Sequence, residues 1–297
     1  MSTVIAADTG GSGIPRIELG DAVDASVDWM TATFDIVFDQ IKTVLVGAYD
    51  LLDLVLSGPP FWAVALVLAA LAFLAKGWKL ALVSLVGFMV IAAVDQWENA
   101  TDTLSLVLLA SGIALVIGIP LGIWAARNDA VSKTLRPVLD FMQTMPAFVY
   151  LIPTVVIFRT GVVPGIVATI VFALAPGVRF TELGIRGVDK EVVEAGHAFG
   201  ASERRILRQI QLPLAMPTIM AGINQVIMLS LSMVVISGLV GAGGLGGDVV
   251  AALARVDVAL GFEAGLAVVI LAIFLDRVTS ALAARSPVSK ALATAAA

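Results

Sequence analysis

The sequence predicts an all-α membrane protein with about seven transmembrane helices. Hydrophobic residues make up 59% of the chain, only 14% of the residues are charged, and the mean hydropathy is +1.01. A soluble domain carries about 25% charged residues. The apolar residues are also gathered into long stretches separated by polar connections, and about 20 apolar residues allow a helix to cross a bilayer. Composition and pattern therefore both exclude a soluble globular fold.

The first predicted element is an acidic N-terminal segment, residues 1–60, in which Arg16 and Lys42 are the only basic residues. Its glycine-rich start is predicted to be disordered, and it lacks the basic and then apolar order of a cleavable signal peptide. Between residues 34 and 55, apolar residues recur at helical spacing, which predicts an amphipathic helix. Such a helix lies either on the membrane surface or against the protein, and the sequence leaves both positions open.

The predicted spans follow in series. We place them at residues 61–75, 80–94, 104–126, 138–158, 162–178, 214–240 and 261–282. The first two belong to an accessory region, 61–96, and are short enough to form a shallow hairpin instead of two spans. Four prolines are predicted to break the middle helices, where a moving gate would need hinges. They are Pro146, Pro153, Pro164 and Pro176.

Basic residues predict the orientation in the membrane. Most of the 18 basic residues fall at one side of the predicted bundle or at the C-terminal end. The exceptions are Arg16, Lys42, Arg159 and Arg255. Because Lys and Arg concentrate in cytoplasmic loops, the C-terminus is predicted to be cytoplasmic. An odd number of spans then places the N-terminus outside, and the connection at 179–213 lies in the cytoplasm.

Local rules predict the structure of that connection. Asp189 can cap a short helix that ends at Gly200, because glycine suits the left-handed position after a helix. Ser202 can cap a second short helix, and Pro213 then begins the next span. The first helix has an apolar face that includes Phe199. A short amphipathic helix displayed beside the membrane is suited to docking on a partner protein.

The same connection resembles the "EAA" loop of ABC-importer permeases. That pattern is Glu-Ala-Ala, three residues, Gly, nine residues, Ile, one residue, Leu-Pro, and the chain departs from it only at Gly196, where the pattern has Ala. The resemblance implies that the loop couples this protein to a separate ATPase. The coupling residues that it implies are Glu194, Ala195, Gly196, Phe199, Gly200, Ile210, Leu212 and Pro213.

A wider resemblance covers residues 97–279 and concerns the permease of the glycine betaine, proline betaine and choline uptake system. The stretches that carry it are 102–106 (DTLSL), 142–153 (MQTMPAFVYLIP), 221–225 (AGINQ), 232–235 (SMVV) and 261–267 (GFEAGLA). It implies the type I importer fold in the cell membrane, with a five-helix core preceded by extra helices. It also implies two permeases working with two ATPase subunits and an extracytoplasmic binding protein, without a cofactor.

These inferences predict a division of the chain into four parts. They are an acidic extracytoplasmic segment at 1–60, two accessory helices at 61–96, a permease core at 97–285 that includes the coupling loop at 179–213, and a cytoplasmic tail at 286–297.

Aromatic side chains on the two middle spans are candidates for lining a pore, because aromatic faces attract a quaternary ammonium. They are Phe141, Phe148, Tyr150, Phe158 and Phe172. Helix packing or lipid contact is the alternative role for all five. Asp140 and Glu182 fall near predicted cytoplasmic helix ends and are expected to reach water rather than to be buried.

Other patterns exclude other functions. The run 241–246 matches G-x-G-x-x-G but follows a predicted membrane helix, so it predicts an extracytoplasmic loop and not a dinucleotide site. The pair Gly118 and Gly122 has the spacing of a helix contact. The chain has no Cys, a single His and no Walker A sequence. We therefore expect neither a metal site nor ATPase activity in this chain.

Three alternatives to an osmoprotectant permease remain at this point. An ABC permease for another small solute, such as an amino acid, shares the coupling loop. An ion-driven secondary transporter should show inverted repeats and charges within its spans, and we find few such charges and no clear repeat. A membrane enzyme would need a nucleophile and a base, which the sequence does not bring together.

Overall fold

The computed structural model describes residues 19–284, so the predicted disorder at the start and the predicted tail at 286–297 lie outside it. Within this range the chain is helical, without a β-strand. The α-helices are α1 (Leu19–Thr33), α2 (Asp35–Ser57), α3 (Phe61–Lys76), α4 (Trp78–Ala93), α5 (Trp97–Arg127), α6 (Asp129–Thr144), α7 (Leu151–Phe158), α8 (Val162–Arg186), α9 (Lys190–Ala198), α10 (Glu203–Ile206), α11 (Leu212–Gly238), α12 (Gly244–Arg255) and α13 (Val258–Ala284). A 3₁₀ turn at Ala147–Tyr150 precedes α7, and a π-helical turn at Leu207–Gln211 joins α10 to α11.

The all-α membrane fold is confirmed, and each of the seven predicted spans overlaps at least one helix. In the described range, four helical runs are long and apolar enough to cross a membrane: α5, α8, Glu203–Gly238 and α13. The count rises to six if α2 with α3 and α6 with α7 each form one bent span. The accessory helices α3 and α4 have 16 residues each. That is about 24 Å of helix against a hydrocarbon core of about 30 Å, so both are short, as predicted.

The core of the bundle forms where α5 and α8 cross at close range. A Cβ atom on Gly122 would lie 2.6 Å from the backbone oxygen of Val178, and one on Gly177 would lie 3.8 Å from the Cα of Gly118. Small residues allow helix backbones to approach closely in a membrane. The predicted contact role of Gly118 and Gly122 is confirmed, and Pro120 lies between them inside α5 without ending it.

The fourth predicted span, 138–158, is not one helix. α6 ends at Thr144, the next residue, Met145, has an extended backbone at φ −70° and ψ 135°, and Pro146 follows. A residue before proline is displaced from the helical conformation because the proline ring clashes with its backbone. The two helical parts on either side of the break differ in direction by 108°. The break leaves α6 as a separate amphipathic helix beside α8.

The other three prolines do not break helices, so the predicted hinges at these positions are wrong for this conformation. Pro153 and Pro164 are each the third residue of their helix, where a backbone N–H has no acceptor within the helix. Pro176 lies inside α8, which continues to Arg186. Neighbouring helices can satisfy the carbonyl that such a proline leaves without a donor.

The predicted amphipathic helix is present as α2 and packs against the protein. Leu45 is buried, and the ring of Phe38 meets that of Phe158 on α7 edge to face, with centroids 5.8 Å apart. Val44 and Leu54 on the opposite face are exposed. Of the two predicted positions for this helix, contact with the protein is confirmed. The sequence pattern did not predict α1.

The glycine run at 241–246 is only partly the predicted loop. Gly241 and Gly243 form a turn with φ angles of 80° and 75°, but Gly244 already begins α12. A Cβ atom on Gly246 would lie 2.1 Å from the backbone oxygen of Val234. Glycine is required there because the first turn of α12 packs directly on the backbone of α11.

Candidate functional site

The predicted coupling segment, residues 189–213, begins with a helix whose two ends are both fixed by local contacts. The Asp189 side chain caps α9 by accepting a 2.9 Å hydrogen bond from the backbone N–H of Glu191. At the other end Gly200 adopts a φ of 76°. The N–H groups of Gly200 and the next residue donate to carbonyls three and five residues back. This arrangement is a Schellman motif, so both predicted helix ends are confirmed.

The inner face of α9 attaches the segment to the bundle. Val193 packs on an apolar cluster that contains Ile185 from the end of α8 and Ala215 from the start of α11. Gly196 lies against Ile210, whose Cδ1 would be 2.7 Å from a Cβ atom on the glycine. The inner face of α9 therefore packs on the apolar cluster between the ends of α8 and α11 and on the π-helical turn that leads into α11.

The outer face of α9 is open. Val192, Ala195 and Phe199 are exposed and recur at helical spacing, and Phe199 is 92% exposed at the end of the helix. Glu194 is exposed beside them. A contiguous exposed apolar strip with a polar rim is typical of a protein interaction surface. We refer to Val192, Ala195 and Phe199 as the outer strip.

The second part of the segment differs from the prediction. Ser202 precedes α10, but its side chain makes no capping bond, and the carbonyl of Ser202 accepts from the next turn instead. The chain then stays helical from Glu203 to Gly238, so Pro213 does not restart it. A π-helical turn at Leu207–Gln211 ends two residues before this proline. Since proline has no N–H and clashes with the carbonyl four residues earlier, a widened turn is a physical solution to its presence.

The five aromatic pore candidates divide into separate groups. Tyr150 and Phe158 are buried, and the ring of Tyr150 lies 6.1 Å from that of Phe172. Phe141 on α6 and Phe148 in the 3₁₀ turn each expose more than half of their surface. The structure thus brings Tyr150 and Phe172 together but does not gather all five residues into one wall.

The expectation that Glu182 reaches water is wrong, whereas Asp140 is exposed as expected. Glu182 is buried and accepts hydrogen bonds from Ser132 and Arg136 on α6. The desolvation of a carboxylate is offset where such partners surround it. The sequence did contain a sign of this polar cluster. Ser132 and Arg136 lie four residues apart on one face of α6, and Glu182 and Arg186 lie four residues apart on one face of α8.

A second polar contact between helices also escaped sequence reasoning. The amide nitrogen of Asn224 on α11 donates to Asp276 on α13 at 3.0 Å, and the Thr279 hydroxyl donates to the oxygen of Asn224 at 2.5 Å. Asp276 is the sequence feature that could have predicted this contact, because a charged residue within a membrane span is expected to have a polar partner.

The fold places the chain in a class of membrane proteins. A chain of the MetNI methionine ABC transporter in an inward-facing conformation superposes with a TM-score of 0.59 and 21% identity. The match covers 63% of the present chain and 94% of that chain. The shared fold is that of type I ABC-importer membrane domains.

Sequence comparison then identifies the family. Residues 118–286 match the model of the family described as "Binding-protein-dependent transport system inner membrane component". The chain is 46% identical to the glycine betaine transport system permease protein OpuAB of Bacillus subtilis, over 90% of this chain and 94% of that protein. It is 48% identical to the glycine betaine/carnitine transport permease protein GbuB of Listeria monocytogenes, over 90% and 96%. It is 45% identical to the glycine betaine/proline betaine permease protein ProW of Escherichia coli, over 89% and 75%.

The chain therefore belongs to this family and is a multi-pass permease subunit of an ABC importer. The predicted membership and fold are confirmed.

Proposed function

We propose that this chain carries glycine betaine or a related osmoprotectant, such as proline betaine or choline, across the membrane. The observation that supports this most is the identity of 45–48% to three permeases named for glycine betaine, over nearly all of the chain. Another small solute, such as an amino acid, is the alternative that the transport experiment below decides.

The proposed energy source is a separate ATPase that docks on the segment 189–213. The outer strip and Glu194 are accessible to such a partner, and the inner face of α9 packs on the apolar cluster that includes residues of α8 and α11. A displacement of α9 would therefore be passed to two helices of the bundle. The proposed coupling residues are Glu194, Ala195, Gly196, Phe199, Gly200, Ile210, Leu212 and Pro213.

The other proposed partners are an extracytoplasmic binding protein and a second copy of the permease. The family description itself refers to a binding protein. In the proposed orientation the N-terminal segment 1–60 lies outside, the loop 179–213 and the tail 286–297 lie in the cytoplasm, and the core is 97–285 behind the accessory helices 61–96. The distribution of Lys and Arg supports this orientation.

For the transport path, we propose Phe141 and Phe148 as the aromatic residues that a passing solute meets. Both are exposed and lie on either side of the break at Pro146. Tyr150 lies in the same 3₁₀ turn as Phe148 and its ring packs on that of Phe172, so this pair would hold the turn in place. Phe158 is buried against α2 and serves packing.

The proposal is tested by uptake into vesicles that contain this chain with its ATPase and its binding protein. Labelled glycine betaine, choline, proline and methionine are compared, with ATP on the nucleotide side and an ionophore as the control for ion gradients. We expect ATP-dependent uptake of glycine betaine or choline that persists with the ionophore. Uptake of methionine alone would replace the substrate class but keep the importer, and uptake that needs an ion gradient in place of ATP would overturn both.

A further inference from the structure

Glu182 is a buried carboxylate at the root of the coupling segment. Its side chain is 6% exposed, and Oε1 accepts from the Ser132 hydroxyl at 2.6 Å and from Arg136 at 3.0 Å, and forms an ion pair with Arg186 at 3.1 Å. A buried charge is tolerated only where such partners are arranged around it, and removal of one partner leaves an uncompensated charge. The position of α6 on α8 is therefore fixed at this residue.

Arg186 extends the same cluster to a third helix. Besides Glu182, its guanidinium contacts Asp129, the first residue of α6, at 2.7 Å and donates to the carbonyl of Ala125 on α5 at 2.8 Å. Arg186 is the last residue of α8, and only three residues separate it from the start of α9. The ends of α5, α6 and α8 thus meet directly beside the proposed docking helix.

Apart from this cluster, α6 is held by an apolar contact in which Leu139 packs with Ala175 and Val178 of α8. Ser132 and Leu139 are its only buried residues, and Ser132 is itself a partner of Glu182. The second ion pair between these helices, Arg179 with Asp140, is largely exposed, and exposed pairs contribute little. Because α6 leads into the break at Pro146, whatever holds α6 also positions the broken segment that follows.

We propose that Glu182 is a positioning residue for energy coupling. It holds α6 to α8. A displacement of α9 would therefore move α6 and the segment that follows it, Ala147–Phe158, as well as α8 and α11. This inference rests on the proposed coupling function and adds a third route from α9 into the bundle.

The test compares Glu182→Gln with the matched variant Asp140→Asn, which removes an exposed carboxylate between the same two helices. The readout is uptake per ATP hydrolysed by the full complex in vesicles. We expect Glu182→Gln to lower this ratio roughly tenfold, within the usual range of coupling between sites, while the ATPase stays bound. Asp140→Asn should keep the ratio near that of the parent. Arg136→Lys should preserve the ratio, and Arg136→Gln should lower it.

A distance measurement separates positioning from a merely structural role. The chain has no Cys, so spin labels can be placed at Lys133→Cys on α6 and Lys190→Cys on α9. In the parent, ATP binding should leave the distance between the labels unchanged, because the two helices move together. In Glu182→Gln the distance should change or broaden with ATP. If Glu182→Gln does not reach the membrane, Arg136→Gln, whose arginine is 61% exposed, supplies the same comparison.

Unchanged uptake per ATP and an unchanged label distance in Glu182→Gln or Arg136→Gln would overturn the positioning role. Failure of the coupling function itself would appear differently, as absence of ATP-driven uptake in the parent complex.

Discussion

At Gly196 the chain carries a smaller residue than the alanine of the pattern that it resembles, and Ile210 fills the space that a methyl group would occupy. A Cβ atom there would lie 2.7 Å from the Ile210 Cδ1 and 3.4 Å from the Ile206 Cγ1. Both contacts involve side-chain atoms rather than backbone, so a small rotation of the isoleucines can relieve them. The departure is thus a local repacking that leaves the course of α9 intact.

The first prediction at the residue scale concerns Glu194→Lys and Gly200→Asp. The first change reverses a charge beside the outer strip, and the second adds a negative charge at the C-terminal end of α9, which the helix dipole disfavours, at a left-handed φ of 76°. We expect both variants to reach the membrane but to lose ATPase binding or ATP-driven uptake. Co-purification of the ATPase and vesicle uptake measure the two effects.

Lys42→Glu is the matched control for these variants, because it reverses an exposed charge on α2, away from the segment. Normal transport by both Glu194→Lys and Gly200→Asp would contradict the coupling role of α9.

Single residues were predictable where a local rule decides their role. Asp189 and Gly200 mark the ends of α9 through contacts within a few residues, and such contacts can be read from the sequence. Glu182 depends on Ser132 and Arg136, 50 and 46 residues away. Only the packing of α6 on α8 creates that environment, so neighbouring residues alone could not reveal its burial.

At the scale of elements, hydropathy predicted where the apolar helices lie but not where they are continuous. Pro146 breaks a segment because the residue before it turns extended, whereas Pro176 is accommodated inside α8. The two prolines have similar apolar neighbours in the sequence. What differs is whether neighbouring helices hold the helix together, which is a tertiary property. For the same reason the sequence did not predict the start of α12, because its first residues belong to a glycine run that has the local pattern of a loop.

The second prediction concerns the crossing of α5 and α8. In Gly122→Ala the new methyl group would lie 2.6 Å from the backbone oxygen of Val178, which cannot move without shifting α8. We expect a loss of about 1–3 kcal/mol, typical of overpacking. Thermal unfolding of the purified protein in detergent measures it.

Gly112→Ala is the control for this prediction, since it makes the same change in the same helix at a position with no atom within 4 Å of the added carbon. Replacement of glycine by alanine inside a helix otherwise favours folding by up to about 1 kcal/mol. Equal stability of the two variants would contradict the close crossing.

For the whole molecule, two independent patterns led to one topology. The basic residues and the coupling motif both predict that the loop 179–213 lies in the cytoplasm, although neither depends on the other. In the predicted topology the accessory helices α3 and α4 contribute two crossings or, as a shallow hairpin, none, and in both cases they leave the side that each terminus occupies unchanged. The orientation therefore depends on the five core segments, and above all on the broken one, α6 with α7.

If α6 and α7 formed a re-entrant segment instead of a crossing, α8 would run in the opposite direction and the loop 179–213 would lie outside. The basic residues of that loop would then face the wrong side.

We expect a crossing, so a reporter fused after Ala297 should be cytoplasmic and one fused before Phe34 should be external. Paired fusions to a fluorescent protein active only in the cytoplasm and a phosphatase active only outside measure both ends. A third fusion after Val256 should also be external, because the turn between α12 and α13 follows one further crossing. An external C-terminus would mean that α6 and α7 do not cross the membrane. The loop 179–213 would then lie outside, which would contradict the proposed docking of an ATPase on α9.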